Sequence, residues 1–191
     1  YVPFKLDGYK ILLLNTNVKH NLAASEYNTR RLQCEKGVSI IRQHHPDVKS
    51  LRDVTLDMLK QFVEPIEPLV YQRCKYVVQE NRRLLEACED LARGDIKSLG
   101  AKMYQTHYGL RYFYDVSCKE LDFLVEYVKN IPSVAGARMM GGGFGGCTIN
   151  LVQEDAIEKL VKDISFAYKE AMNLPLTAYI ASIENGTGIC T

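Results

Sequence analysis

Val134-Ala135-Gly136-Ala137-Arg138-Met139, then Met140 and the run Gly141-Gly142-Gly143-Phe144-Gly145-Gly146, then Cys147-Thr148-Ile149-Asn150-Leu151-Val152: two β-rich segments flank a glycine run, and the fold follows from reading them as paired strands. Downstream, Ile157, Leu160, Val161 and Ile164 fall on one face of an amphipathic helix over 155–172, and 176–183 closes as a strand. Upstream, Ser117-Cys118-Lys119-Glu120 has the form of a capping box, with Leu121, Leu124, Val125 and Val128 as the buried face behind it. Asp95 caps a helix reaching about Tyr112, and Pro68 opens a long helix that stops at Gly94. Thr55 caps a short helix, and Tyr27, Arg31, Cys34, Val38 and Ile41 recur at helical spacing. At the start, Val2, Phe4 and Leu6 alternate, Asp7-Gly8 signals a turn, and 9–15 is a second apolar run. The resulting order predicts an α+β fold: a ferredoxin-like split βαβ sandwich with extra helices inserted in the first crossover.

A chain of 191 residues, 47% hydrophobic and 25% charged, has the composition of a globular protein, and residues 1–191 read as one domain. The net charge of +1 provides no global field for nucleic acid. The longest unbroken aliphatic stretch, Ile11 to Leu14, is far too short for a membrane span. No secretory signal is visible, and a chain beginning at Tyr1 reads as a fragment or a processed product. Six cysteines, at 34, 74, 88, 118, 147 and 190, include no Cys-x-x-Cys pair, and none of the four histidines has ligand spacing to them. Free thiols in a reducing cytoplasm, with no bound metal, are expected.

Five glycines in the six residues 141–146 imply either positive φ at several positions or close backbone approach to another group. Exposed amides in such a loop can cradle an anion; a wide hairpin turn without a ligand fits the composition equally well. Gly141-x-Gly143-x-x-Gly146 matches the dinucleotide fingerprint in letters only, because a strand rather than a helix follows it. No Lys-Ser/Thr follows the last glycine, so the run is not a Walker loop either.

The segment 136–148 resembles the third signature motif of the GHMP small-molecule kinases, and within them the galactokinase branch. Residues 15–27, followed by Arg30-Arg31-x-x-Cys34-Glu35, are similar to the start of the carboxyl-terminal domain of that branch. Val116-Ser117-Cys118-x-Glu120-Leu121-Asp122 is a third matching segment, and Gly186-x-Gly188 fits the family's carboxyl end. Met140 departs from the small residue or Thr that is usual there. The amino-terminal sugar-gripping segment and the phosphate loop of the family have no counterpart in these residues.

The resemblance implies an ATP-dependent sugar-1-kinase acting on galactose, with Mg2+, of which this chain is the carboxyl-terminal half. It places Tyr27 against the sugar and the loop of Gly141, Gly142, Gly143, Phe144, Gly145 and Gly146 near the phosphates. ATP and Mg2+ are expected to be bound mainly by the amino-terminal domain, which is the implied partner together with galactose. No catalytic residue is expected here, since the family's candidate base lies in the other half, and the fragment alone is expected to be inactive. Phe144 is read as packing the loop onto the core, and Arg138 as facing either a phosphate or an ion-pair partner. His44-His45 is read as capping a helix end, and Tyr104, Tyr108 and Tyr112 as a helix stripe. Rival expectations are another GHMP sugar kinase such as one for N-acetylgalactosamine, a non-catalytic galactose sensor on the same fold, and a stand-alone binding module.

Overall fold

The computed structural model describes residue 6, residues 8–18 and residues 23–182, and for residues 23–25 the backbone alone. Residues 2–5 of the strand expected over Val2 to Leu6, the segment 19–22 and the carboxyl-terminal glycines lie outside the described residues. Four antiparallel strands form one sheet: β1 (Tyr9–Asn15), β2 (Val134–Met139), β3 (Cys147–Gln153) and β4 (Thr177–Ala181), in the order β2-β3-β1-β4. That order, with helices in both crossovers, is the predicted α+β split βαβ arrangement.

Both faces of the sheet are covered. On one, Leu12 and Leu14 of β1 pack with α5 (Lys119–Val128) and α6 (Ile157–Met172). The expected stripe of α5 is buried in full, and Ile157, Leu160, Ile164 and Tyr168 supply that of α6. On the other face, Leu151 meets Leu99 and Met103 of α4 (Ile96–Gly109), with Leu91 from α3 (Pro68–Arg93) beside them. Helix α4 crosses β2 so closely that a β-carbon on Gly100 would stand 1.9 Å from the Ala135 carbonyl oxygen. The strand–helix crossing therefore requires glycine there.

Double coverage explains β3. Thr148 and Asn150 alternate with apolar residues as expected, yet both are fully buried. Asn150 donates to the Leu12 carbonyl at 2.9 Å and to the Thr148 hydroxyl at 3.0 Å, which offsets the cost of dehydrating its amide nitrogen, while its Oδ1 has no partner among the described residues.

The inserted helices begin with α1 (Ala23–Arg42) and the short α2 (Leu56–Met58), which runs into a wide π-type turn at Leu59–Val63. Thr55 accepts from the Met58 amide, Gly94 closes α3 at φ +68°, and Asp95 accepts from the Ser98 amide, as the sequence predicts. Three expectations are corrected. Helix α4 ends at Gly109 and passes into a π-type turn over Leu110–Tyr114 instead of running to Tyr112. Cys118, rather than Ser117, is the N-cap of α5, because the Ser117 hydroxyl is bound to Asp122 at 2.6 Å. The buried side of α1 carries Arg30 with Val38 and Ile41, while Tyr27 and Arg31 face outward.

Candidate functional site at the glycine loop

The glycine run is the turn between β2 and β3, and its two ends are fixed. The Met140 amide donates to the Cys147 carbonyl at 3.0 Å. At the other end, the Thr16 amide and hydroxyl both donate to the Gly146 carbonyl at 2.9 Å. Thr16 in turn gives its carbonyl to the buried Tyr168 hydroxyl at 2.9 Å. The amino-terminal segment of the family resemblance and the glycine motif thus meet at one end of the sheet.

Between these anchors the backbone lies in left-handed space at Gly141, Gly143, Phe144, Gly145 and Gly146. Phe144, at φ +58°, carries a conformation unusual for a bulky residue. Its amide donates to the Val116 carbonyl at 2.7 Å, and its ring packs with Val116, Leu121 and Met139, the anchoring role expected of it. Gly143 is pressed on the same carbonyl: an added β-carbon would stand 2.0 Å from the Val116 oxygen. Gly141 and Gly142 are exposed, with no atom within 4 Å of a β-carbon built on either. Their amides meet no acceptor among the described residues. Adjacent unpaired amides on a left-handed turn form an anion-binding concavity. Met140, the departure from the family pattern, is 37% exposed; Met139 is the methionine packed beneath the loop.

Below the loop lies a polar support the sequence reading missed. His107, buried on α4, accepts from the Met139 amide at Nδ1, 3.2 Å away, which places the ring proton on Nε2. That nitrogen lies 3.3 Å from Asp122 Oδ1, and Arg111 reaches the other carboxylate oxygen at 3.0 Å. Burial favours the neutral acid, yet His107, Ser117 and Arg111 together hold Asp122 below the usual carboxylate value. Asp122 belongs to the motif of 116–122, and that motif was the only available signal.

Tyr27 is 59% exposed on the first turns of α1, far too open for a core tyrosine. Arg138 makes no ion pair among the described residues; it donates to its neighbour's carbonyl at Met139, 3.1 Å away. Burial lowers its pKa. It opens onto a cleft of about 450 Å3 that also involves Leu84, Leu99, Met103 and Leu151, on the α3–α4 side of the sheet. Tyr104 and Tyr108 line a second cleft, of about 330 Å3, with Tyr76 and Arg83; the Tyr112 ring lies against Tyr108 at 4.6 Å, tilted by 48°. His44 stacks on Phe62 at 4.2 Å instead of serving a helix end through a side-chain bond. The five described cysteines are free, and no group of three potential metal ligands exists among the described residues.

With this geometry in place, comparison with known proteins is informative. Residues 84–170 match the family model described as GHMP kinases C terminal. This segment, 87 of the 191 residues, is thus similar to the carboxyl-terminal domain of the GHMP kinases. Over 189 residues it is 39% identical to the galactokinase of Thermotoga neapolitana, covering 99% of this chain and 51% of that protein. The crystal structure of Lactococcus lactis galactokinase complexed with galactose matches with a TM-score of 0.87 at 31% identity, covering 95% of this chain and 47% of that one. L. major mevalonate kinase in complex with R-mevalonate matches with a TM-score of 0.55 at 22% identity, over 94% of this chain and 43% of its own, which shows the shared fold alone. The chain spans about half the length of the curated relatives it matches. No helix among the described residues is long and apolar enough to cross a membrane.

Proposed function

We propose that this chain is the carboxyl-terminal half of a cytoplasmic galactokinase, which transfers the terminal phosphoryl group of ATP to the anomeric hydroxyl of galactose. The observation that carries this reading is the close match, over nearly the whole chain, to a galactokinase structure that holds galactose. In this reading exposed Tyr27 meets the sugar, through an apolar ring and a polar tip. Gly141 and Gly142 offer their free amides to the phosphate side. Phosphoryl transfer depends mostly on positioning and charge stabilisation, and a rigid wall of backbone donors is suited to both. The hydroxyl proton leaves to a base outside this chain. Mg2+, when bound with the nucleotide, supplies charge neutralisation of the phosphates. The free glycine amides fit the phosphates of the nucleotide, whereas the described residues gather no carboxylate set for the metal. The amino-terminal domain is therefore assigned the nucleotide cradle, the metal and the base.

The test is ADP release by the full-length protein with galactose, N-acetylgalactosamine or mevalonate as acceptor. Galactose is expected to be the preferred acceptor, and the 191 residues alone are expected to release no ADP in response to it. Galactose binding without turnover in the full-length protein would replace the kinase with a sensor. Preference for another acceptor would replace the substrate, and turnover by the isolated chain would overturn the division of labour.

A further inference from the structure

Tyr27 and the glycine loop belong to different elements, and one carboxylate joins them. One helical turn beyond Tyr27, Arg30 is buried and donates to the Tyr114 carbonyl at 2.7 Å, the Asp115 carbonyl at 2.7 Å and Asp115 Oδ2 at 3.1 Å. Arg73 of α3, equally buried, donates to the same Oδ2 at 3.0 Å and to the Phe113 carbonyl. The Asp115 side chain itself is 62% exposed. Its backbone is left-handed, at φ +59°. The next residue is Val116, whose carbonyl receives the Phe144 amide and seats Gly143.

We propose that Asp115 is a positioning residue: it holds the Val116 carbonyl under the glycine loop and thereby couples the loop to the Tyr27 end of α1. The coupling to substrate rests on the galactose-phosphorylating reading above. The physical reason is charge. Two buried guanidiniums converge on one oxygen, and among the described residues Glu26 is the other carboxylate on Arg30, at 3.4 Å. Without the Asp115 charge nothing neutralises the two guanidiniums where they meet, and they repel. The left-handed residue that both guanidiniums grip, and the carbonyl after it, then lose their fixed place. Tyr27 moves with α1, so a shift at the sugar side reaches the loop along this path.

Asp115→Asn isolates the charge, because asparagine tolerates the left-handed backbone. Hydrogen–deuterium exchange of the 191-residue chain, read by mass spectrometry, should show residues 140–147 exchanging at least about tenfold faster, with α6 unchanged. Asp115→Glu, which restores the charge, should recover part of that protection. An unchanged loop, equal acceleration of α6, or identical behaviour of the Asn and Glu variants would overturn the positioning role. In the full-length protein, galactose should slow exchange at 140–147, and Asp115→Asn should abolish that slowing while galactose still binds by calorimetry. Persistence of the slowing in the variant would overturn the coupling. If the unaltered full-length protein failed to phosphorylate galactose, the functional reading would fall, while exchange on the 191-residue chain would still decide the positioning role.

Discussion

Gly141 and Gly142 stand in open space, whereas Gly143 and Gly145 are buried against the scaffold, although all four belong to one short run of sequence. The inner pair answers to packing: the Val116 carbonyl lies where a side chain at Gly143 would begin. The outer pair answers to nothing inside the described residues, where its amides have no acceptor. Glycine richness therefore records two different demands here. One is met by packing inside the domain; the other is the one that the proposed function gives to the phosphates.

The largest effect that separates the two halves is on stability. Gly143→Ala places a β-carbon 2.0 Å from the Val116 oxygen at φ +91°. Left-handed strain and overpacking each cost roughly 1–3 kcal/mol, so a loss of about 3 kcal/mol or more is expected. In a domain of this size that lowers the melting midpoint by roughly 6–12 °C, readable by circular dichroism. A midpoint within about 2 °C of the unaltered chain would show that the inner half is as free as the outer one. A kinetic experiment at Gly143 would read this packing defect rather than the chemistry.

Gly142→Ala reverses the expectation. Its backbone is not left-handed and its surroundings are empty, so the folded state should be unharmed or stabilised by about 0.4–1 kcal/mol. In the full-length protein the added methyl would intrude on the phosphate side. A displacement of about 1 Å there can cost roughly a hundredfold, and kcat should fall by about ten- to a hundredfold. Unchanged turnover in a stable variant would assign the outer half to the hairpin turn alone.

A smaller effect belongs to the sugar side. Tyr27→Phe removes one hydroxyl, and a lost hydrogen bond to a neutral sugar is worth about 0.5–1.5 kcal/mol, or roughly two- to twelvefold in affinity. The galactose KM should rise by that factor while the ATP KM stays fixed. A change confined to ATP would move Tyr27 away from the sugar.

Local signals in the sequence carried the fold a long way. Thr55, Gly94 and Asp95 act on amides within a few residues of themselves, and α5 buries the apolar stripe that its spacing predicts. What stayed hidden is set by distant partners. Arg30 was legible as part of the segment that carries the family resemblance, but its burial depends on carbonyls at Tyr114 and Asp115, 84 and 85 positions away. Ser117 matched a capping pattern, and Asp122 claimed its hydroxyl instead. Thr148 and Asn150 stand among apolar neighbours in the sequence, but their full burial depends on helices that cover the sheet. The glycine run was plain as a loop, yet which glycines pack and which stay open depends on where Val116 lies.

The finest distinction concerns the support beneath the loop, and pH exposes it. Asp122 is held below its usual pKa by His107, Ser117 and Arg111 against the opposing effect of burial. A carboxylate with a depressed folded-state pKa adds stability above its unfolded value near 3.9, and loses it as pH falls through the lower folded value. The contribution is thus intact at neutral pH and fades below about pH 4. Asp122→Asn deletes a charge that His107 and Arg111 face, while keeping the size of the side chain. The variant should lose stability at pH 7 and show a flatter decline between about pH 5 and pH 3 than the unaltered chain. Urea midpoints measured across that range provide the comparison. Parallel curves would mean that the carboxylate charge contributes nothing to holding Met139. The inner half of the loop would then owe nothing to the charge beneath it.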